Sequence, residues 1–501
     1  MSEGVAPARR AAATSPLLAA GGFAIIAAAA VTGVGLNGSA AAVAGSLFLA
    51  AIAVRKPVLE WRHLLVGLLL VILFIPIRRY RVPGDLPFQL EPYRVVVALL
   101  VAGWIASLLV DPAVRLRRSG LELPIVLVGI TTVASVLANP QRVNALQPTV
   151  LKSLTFLLSF VLVFYLVVSV VRAPAVIGAV VKTLVAGGAV VAVLAIVEAR
   201  TGATLFTRLD AILPFLTPDP SFQPEIDRGG AMRAFGPAEH PIALGAALAM
   251  LVPFAVYLVR TASPRWYVAL VPLVAGVLST VSRTSVIMLF VIGIVFLALR
   301  PRETRRLWPV LVPLLVVTQL ALPGTLGSLK QAFLPEGGLI QEQRGSAGSC
   351  TSAGRIADLG PTLAEVGKKP LLGHGYGTRM TTGEEANACI LDNQWLGTLL
   401  DVGVLGALAW LGLFLTVIRR WGGAARDHSD NGWLLVAATA AVTAYAVAMF
   451  TFDAFSFIQV TLLLFVVLGI GAAAAADVGL RPRRRQIYAA RPRTLSPAGA
   501  E

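Results

Sequence analysis

The chain is poor in charge. Only 14% of its 501 residues are charged, 57% are hydrophobic, and mean hydropathy is +0.80. Soluble domains carry roughly a quarter charged residues, so this composition excludes an ordinary soluble protein. The strand-like alternation of an outer-membrane barrel is missing as well. Cysteine is limited to Cys350 and Cys389 and histidine to four scattered positions, which match no metal-ligand spacing. There is no Walker-type phosphate loop and no dinucleotide fingerprint. The glycine-rich Leu372-Gly373-His374-Gly375-Tyr376-Gly377 is not followed by Lys-Ser/Thr and reads as a backbone turn. ATP-driven transport is therefore disfavoured, and no metal or cofactor is expected. The first apolar run lacks a cleavage site and further runs follow it, so no cleavable signal peptide is expected.

What the chain does have is apolar runs, recurring from Leu17 to Ala476, each of the roughly 18 residues or more that cross a bilayer as a helix. The fold class is an all-α polytopic membrane protein. Fourteen spans are expected (twelve to fourteen allowing for a missed or extra hairpin): 15–35, 39–54, 62–77, 93–110, 121–138, 151–171, 175–197, 240–259, 266–280, 283–299, 307–323, 392–417, 432–450 and 455–475. The chain divides into an N-terminal tail (1–14), spans one to eleven (15–323), a large loop (324–391), spans twelve to fourteen (392–475) and a basic tail (476–501).

The formal net charge is +16, but its distribution argues against nucleic acid. Basic residues gather in short turns: Arg55-Lys56 with Arg62, Arg115 with Arg117 and Arg118, Arg300 through Arg306, Arg419-Arg420, and the tail from Arg481 to Arg493. That is the positive-inside bias of cytoplasmic loops, with anionic-lipid contact as its partner chemistry. It sets both termini inside and segments 78–92, 139–150, 198–239 and 324–391 outside. Both cysteines then face an oxidising exterior, where a Cys350–Cys389 disulfide is permitted. By the chain-entropy account, closing such a loop of roughly 40 residues is worth about 3–4 kcal/mol.

Arg78, Arg79 and Arg81 break the basic-inside trend, either because they face an anion or because they snorkel at the interface. Arg283, in Ser282-Arg283-Thr284-Ser285, has almost no loop around it, and ionisable groups at membrane depth are costly without a role. Arg233, Arg283 and Asp392 all fall at the external ends of spans. Two guanidiniums are suited to a phosphate or diphosphate, and a carboxylate opposite suits proton abstraction from a hydroxyl. The bland alternative is that the arginines anchor helix ends or pair with Asp392 and Glu239. His240 and His374 are external; His63 and His428 sit in basic turns. Arg355 and Lys368-Lys369 add positive charge above the site or simply form a solvated face. Asn393 is a helix cap or an orienting group for Asp392.

Three segments carry a family resemblance over roughly residues 60–475. Arg233-Ala-Phe-Gly236 with His240-Pro241, Ser282-Arg283, and Asp392-Asn393 followed by Gly403 and Gly406 resemble the conserved segments of the bacterial O-antigen ligase-like superfamily. That group includes O-antigen ligases, O-antigen-type polymerases and some protein O-oligosaccharyltransferases. The resemblance implies a membrane fold of the glycosyltransferase C type. It also implies metal-independent, inverting transfer of a glycan from undecaprenyl diphosphate to an acceptor, in cell-envelope polysaccharide biosynthesis at the external face of the cell membrane. The two arginines would hold the diphosphate, with Arg79, Arg81, Arg355, His240, His374 and Asn393 around the substrates.

Two positions depart from the pattern: Ile242 stands for an Asn, and Asp392 for the His that activates the acceptor. An unperturbed Asp is a feeble base. Either Asp392 is strengthened by its surroundings, or His374 or His240 acts, or the reaction differs. A non-enzymatic transporter or flippase for an anionic lipid or polysaccharide is the alternative function. It predicts charged residues distributed through the bundle, whereas here they collect near one face.

Overall fold

A computed structural model describes residues 60–81, 91–111, 114–213, 216–219, 227–228, 231–305, 316, 359–381, 387–388 and 391–480. The expected spans 15–35, 39–54 and 307–323, both cysteines and Arg355 lie outside the described residues. The long helices are α1 (Trp61–Phe74), α2 (Pro92–Val110), α3 (Glu122–Leu137), α4 (Gln147–Val170), α5 (Pro174–Thr201), α6 (Pro241–Thr261), α7 (Tyr267–Ser279) and α8 (Arg283–Leu299). After them come the short α9 (Leu359–Lys368), then α10 (Gln394–Ala424), α11 (Asp430–Ala448) and α12 (Ile458–Leu480). Among the described residues, seven are long and apolar enough to cross a membrane, and α1, α3, α7 (with the turn before it) and α8 are shorter apolar helices. Each expected span from 62–77 through 283–299, and from 392–417 onward, coincides with one of these helices within a few residues.

Proline sets several helix starts. Pro92, Pro174 and Pro241 sit in the first turn, where the missing N–H costs nothing and φ is already helical. Helices α6, α11 and α12 are buried almost all round and form the centre of the bundle. Small residues permit the close approach that membrane helices rely on: Gly245 of α6 lies so near the start of α8 that a Cβ there would meet the Ser285 hydroxyl at 2.0 Å. The outer helices expose a lipid-compatible belt, with Leu109, Leu123, Leu137, Val268 and Phe290 among the most exposed apolar residues.

Apart from α8 and α10, whose starts lie together, successive long helices alternate in direction, so their connections collect at two faces. At one, Arg420 of α10 reaches the Gly120 carbonyl before α3 at 2.7 Å, Arg172 reaches the Arg115 carbonyl at 3.3 Å, and Arg300 bonds the Ala425 carbonyl at 2.7 Å. Arg260 and Arg300 both stack on Trp433. This is the basic face. The other face gathers the turns that hold Arg233, Arg283 and Asp392, and is called the mouth.

Candidate functional site

Three turns build the mouth. In the first, the segment 233–240 enters α6. Glu198, in the last turn of α5, accepts the backbone amides of Phe235 at 3.0 Å and Gly236 at 3.1 Å. Arg79 closes the segment from the other side: it donates to the carbonyls of Gly236 at 3.1 Å and Ala238 at 2.9 Å, with its guanidinium over the Phe235 ring. Burial lowers the Arg79 pKa to about 10, opposed by Glu198 and other neighbouring groups. Arg78 pairs with Glu239 at 3.1 Å, and its amide donates to Glu91 at 2.8 Å. Glu239 is 10% exposed. Burial pushes its carboxyl up to about 7, against the pull of Arg78 and a hydrogen bond from the Ile458 amide. His240 caps α6, its Nδ1 accepting the Ile242 amide at 3.1 Å, and its ring lies beside Phe457.

The second turn joins α7 to α8. Arg233 is 2% exposed and donates through Nε to the Thr280 carbonyl at 3.2 Å, while the Ala234 amide donates to Ser279. Val281 is held at φ 47°, a left-handed conformation that is strained for a β-branched residue. Ser282 and Arg283 follow directly, and Arg283 opens α8 half-buried. The next residue, Thr284, accepts the Thr451 hydroxyl at 2.9 Å.

The third turn precedes α10. Asp392 is exposed. Asn393 is the N-cap, its Oδ1 accepting the Leu396 amide at 3.2 Å. The Gln394 amide donates to the Met449 carbonyl at 2.7 Å, and its side-chain oxygen accepts the Phe455 amide at 2.7 Å. The starts of α8 and α10 therefore rest on one turn, residues 449–455. Asp453 lies in that turn. It accepts the Ser456 hydroxyl at 2.5 Å. Its pKa is raised, by burial first and also by the Asp392 charge, against the pull of Arg379 and Arg78.

Above α10 sits the glycine-rich turn. Helix α10 breaks at Gly403 (φ 68°, ψ −169°), which leaves backbone groups without helical partners. The incoming chain supplies them: the His374 amide donates to Leu400 at 2.7 Å, and Val404 and Leu405 donate to Pro370 and Leu371 at 2.8 and 3.3 Å. Buried backbone groups away from water require such partners. A Cβ on Gly373 would meet the Leu400 carbonyl at 2.5 Å, and one on Gly403 the Leu371 carbonyl at 2.3 Å. Both contacts demand glycine. His374 is 8% exposed, with Nε2 3.0 Å from the Glu365 carbonyl. Lys368 pairs with Glu365, holding that carboxyl below its ordinary pKa, and Lys369 donates to Asn139 at 2.5 Å.

Sequence position and location in space therefore sort differently. The turns of Arg233, Arg283, Asp392 and Asn393 come together, with His240 at the edge. His374 and Lys369 serve the docked loop, Arg79 holds the 233–240 segment, and Arg81 is an exposed residue of a two-residue strand (Tyr80–Arg81) paired with Thr217–Pro218. Asp453, Glu198 and Arg379 belong to none of the three motifs; for Glu198 and Asp453 the signal available is one acidic group beside an apolar run, whereas Arg379 stands in a polar stretch with no such signal.

Chemically, the mouth offers a guanidinium at the start of α8, an exposed carboxylate at the start of α10, and a second carboxyl, Asp453, in the turn on which both starts rest. No curated protein matches the chain. Residues 268–411, a segment that includes Arg283 and Asp392, match the family model described as O-antigen ligase, in agreement with the resemblance carried by two of the three motifs; the Arg233 motif lies outside the matched segment. The chain is a helical membrane protein whose segment 268–411 is similar to the O-antigen ligase family.

Proposed function

We propose that the protein is a membrane glycosyltransferase that moves a glycan from a polyprenyl diphosphate to an acceptor hydroxyl at the external face of the cell membrane, as an O-antigen ligase or polymerase does. The observation that carries this reading is that Thr284 and Gln394, the near neighbours of Arg283 and Asp392 in the matched segment, both rest on the 449–455 turn. The basic face, read as cytoplasmic, sets the mouth outside.

In this reading the acceptor oxygen attacks C1 of the first sugar from the side opposite the diphosphate. The C1–O bond to phosphate breaks, the configuration inverts, and the polyprenyl diphosphate leaves. Arg283 holds that anion by directed N–H bonds, strongest where negative charge accumulates on the leaving oxygen. Guanidinium charge neutralises the diphosphate, so no metal is called for. Asp392 takes the acceptor proton, and its exposure suits an acceptor arriving from solvent. His240 spends its acceptor nitrogen on the α6 cap, and His374 is buried in the docked loop against Glu365, whereas Asp392 is exposed at the mouth. That favours Asp392 over either as the base. Arg233, buried and bonded to Thr280, sets the turn that presents Arg283.

The test is reconstitution in liposomes with an undecaprenyl-diphosphate oligosaccharide and candidate acceptors, following release of the diphosphate lipid. Arg283→Ala should nearly abolish transfer while the protein keeps its thermal transition. Asp392→Asn should slow transfer by 10²-fold or more, the scale of general-base loss, with donor affinity retained. Wild-type turnover by Arg283→Ala removes the assignment.

A further inference from the structure

Beside the mouth, on helices that do not carry Arg283, stands a second group of cations. Arg94 opens α2, and its guanidinium lies over the rings of Tyr93 and Phe156 at 5.8 and 5.0 Å while bonding Glu91 at 2.9 Å. Arg78 is 43% exposed on the same side. Lys152, exposed in the first turns of α4, lies within electrostatic range of Arg78 and Arg94, and of Glu91 and Glu239. Among the described residues no carboxylate lies within ion-pair distance of the Lys152 ammonium. Among the described residues, three cations thus face two carboxylates. One of those, Glu239, is held partly protonated near neutral pH by burial, so the group keeps an excess of positive charge.

Its position separates it from the diphosphate. Helix α8, which carries Arg283, packs on α11 and α6, whereas α4 and α2 pack on each other, on α12 and on α1. The connection between the two groups is the turn before α12: Asp453 feels the charges of Asp392 and of Arg78, and Arg78 is ion-paired with Glu239, which lies near the Ile458 amide at the start of α12. Arg78 thus joins the group to the turn that supports α8 and α10, and an anion seated there would be felt at Asp453 without occupying the transfer centre.

We propose that Arg78, Arg94 and Lys152 form an anion subsite for the acceptor, taking a phosphate or carboxylate substituent on its glycan. The subsite selects acceptors carrying negative charge and orients their hydroxyl toward Asp392. Arg94, pre-positioned on two aromatic rings, loses little freedom on binding, and Lys152 supplies a point charge. The idea rests on the transferase reading but is tested apart from it.

Purified protein in phosphatidylcholine nanodiscs is titrated with mannopentaose, its monophosphorylated form, tri-galacturonate and farnesyl diphosphate. The phosphorylated and carboxylated sugars should bind at least tenfold more tightly than mannopentaose. Lys152→Gln should reduce that preference threefold or more, and Arg94→Gln/Lys152→Gln should erase it. Neither should change farnesyl diphosphate binding, which Arg283→Ala should weaken. If Arg94→Gln fails to fold, Lys152→Glu, at an exposed position, carries the test. Equal binding of charged and neutral sugars, or wild-type preference in Lys152→Glu, overturns the subsite. Loss of the preference in nanodiscs containing phosphatidylglycerol also overturns it, in favour of a lipid-headgroup contact. Absence of any transfer from a polyprenyl-diphosphate donor in the liposome assay instead defeats the transferase reading, whatever the titrations show.

Discussion

Glu239 illustrates how much a single residue's surroundings decide. By its composition the segment 233–240 holds an ordinary surface carboxylate, which would ionise near 4.5; buried between Arg78 and the start of α12, it titrates at about 7. The sign of the consequence follows from linkage. The native state binds the proton more tightly than the unfolded chain, so this contribution to stability is full below about 4.5 and is lost as pH rises through about 7. Thermal melts in detergent between pH 5 and pH 8 should show a downward trend that Glu239→Gln flattens; parallel trends in the two proteins would sink the assignment. Val281 is a residue-scale feature of the opposite kind. Its left-handed backbone stores strain next to Ser282-Arg283, held in place by Arg233 at Thr280 and by packing on Gly245. No local sequence signal marks it, because valine is among the residues least suited to that conformation.

At the scale of elements, the decisive feature is the interruption of α10. Gly403 and Gly406 are visible in the sequence as a spacing, but their meaning differs. Gly403 breaks the helix and receives the Pro370–His374 chain, whereas a Cβ on Gly406 would meet Val402 one turn earlier. Gly403→Ala should cost about 2–4 kcal/mol, from a left-handed alanine and a collision with the Leu371 carbonyl. The measurement is amide exchange over residues 369–378, which should accelerate as the loop undocks. The Asn393 cap is more modest: Asn393→Ala should lower stability by about 1 kcal/mol, read in the same thermal melts. A larger loss of transfer than of stability would mark an additional role in orienting Asp392. Helix α9 is amphipathic, with Thr362 and Val366 as its buried positions.

At the scale of the whole molecule, the alternation of helices sorts the charged connections into two faces. One face is held by Arg172, Arg300 and Arg420 on backbone carbonyls. The other presents Arg283, Asp392 and the Arg78–Arg94–Lys152 group. The positive-inside bias predicts the orientation, and labelling tests it. In a variant whose native cysteines are replaced, Arg81→Cys should react with a membrane-impermeant maleimide in intact spheroplasts, and Arg419→Cys only after permeabilisation. The reverse pattern would turn the mouth toward the cytoplasm and remove the external donor. A transporter would need charge spread along the bundle. The central helices α6, α11 and α12 instead place their charged residues at or near their ends, with long apolar stretches between.

Hydrophobic run length was enough to define the class of the protein and to locate helices α1 to α8 and α10 to α12, seven of them long and apolar enough to cross a membrane, because a bilayer demands about 20 apolar residues per crossing whatever their neighbours. Three short motifs were enough to single out Arg233, Arg283 and Asp392. Only the tertiary structure decided which of these side chains are buried in structural bonds and which stand at the mouth. Arg79 and Arg233 look as available as Arg283 along the chain, yet they are fastened to carbonyls of segments about 157 and 47 residues away. Such bonds follow from packing between distant helices, and nothing local to an arginine announces whether its guanidinium will find a carbonyl or face a ligand.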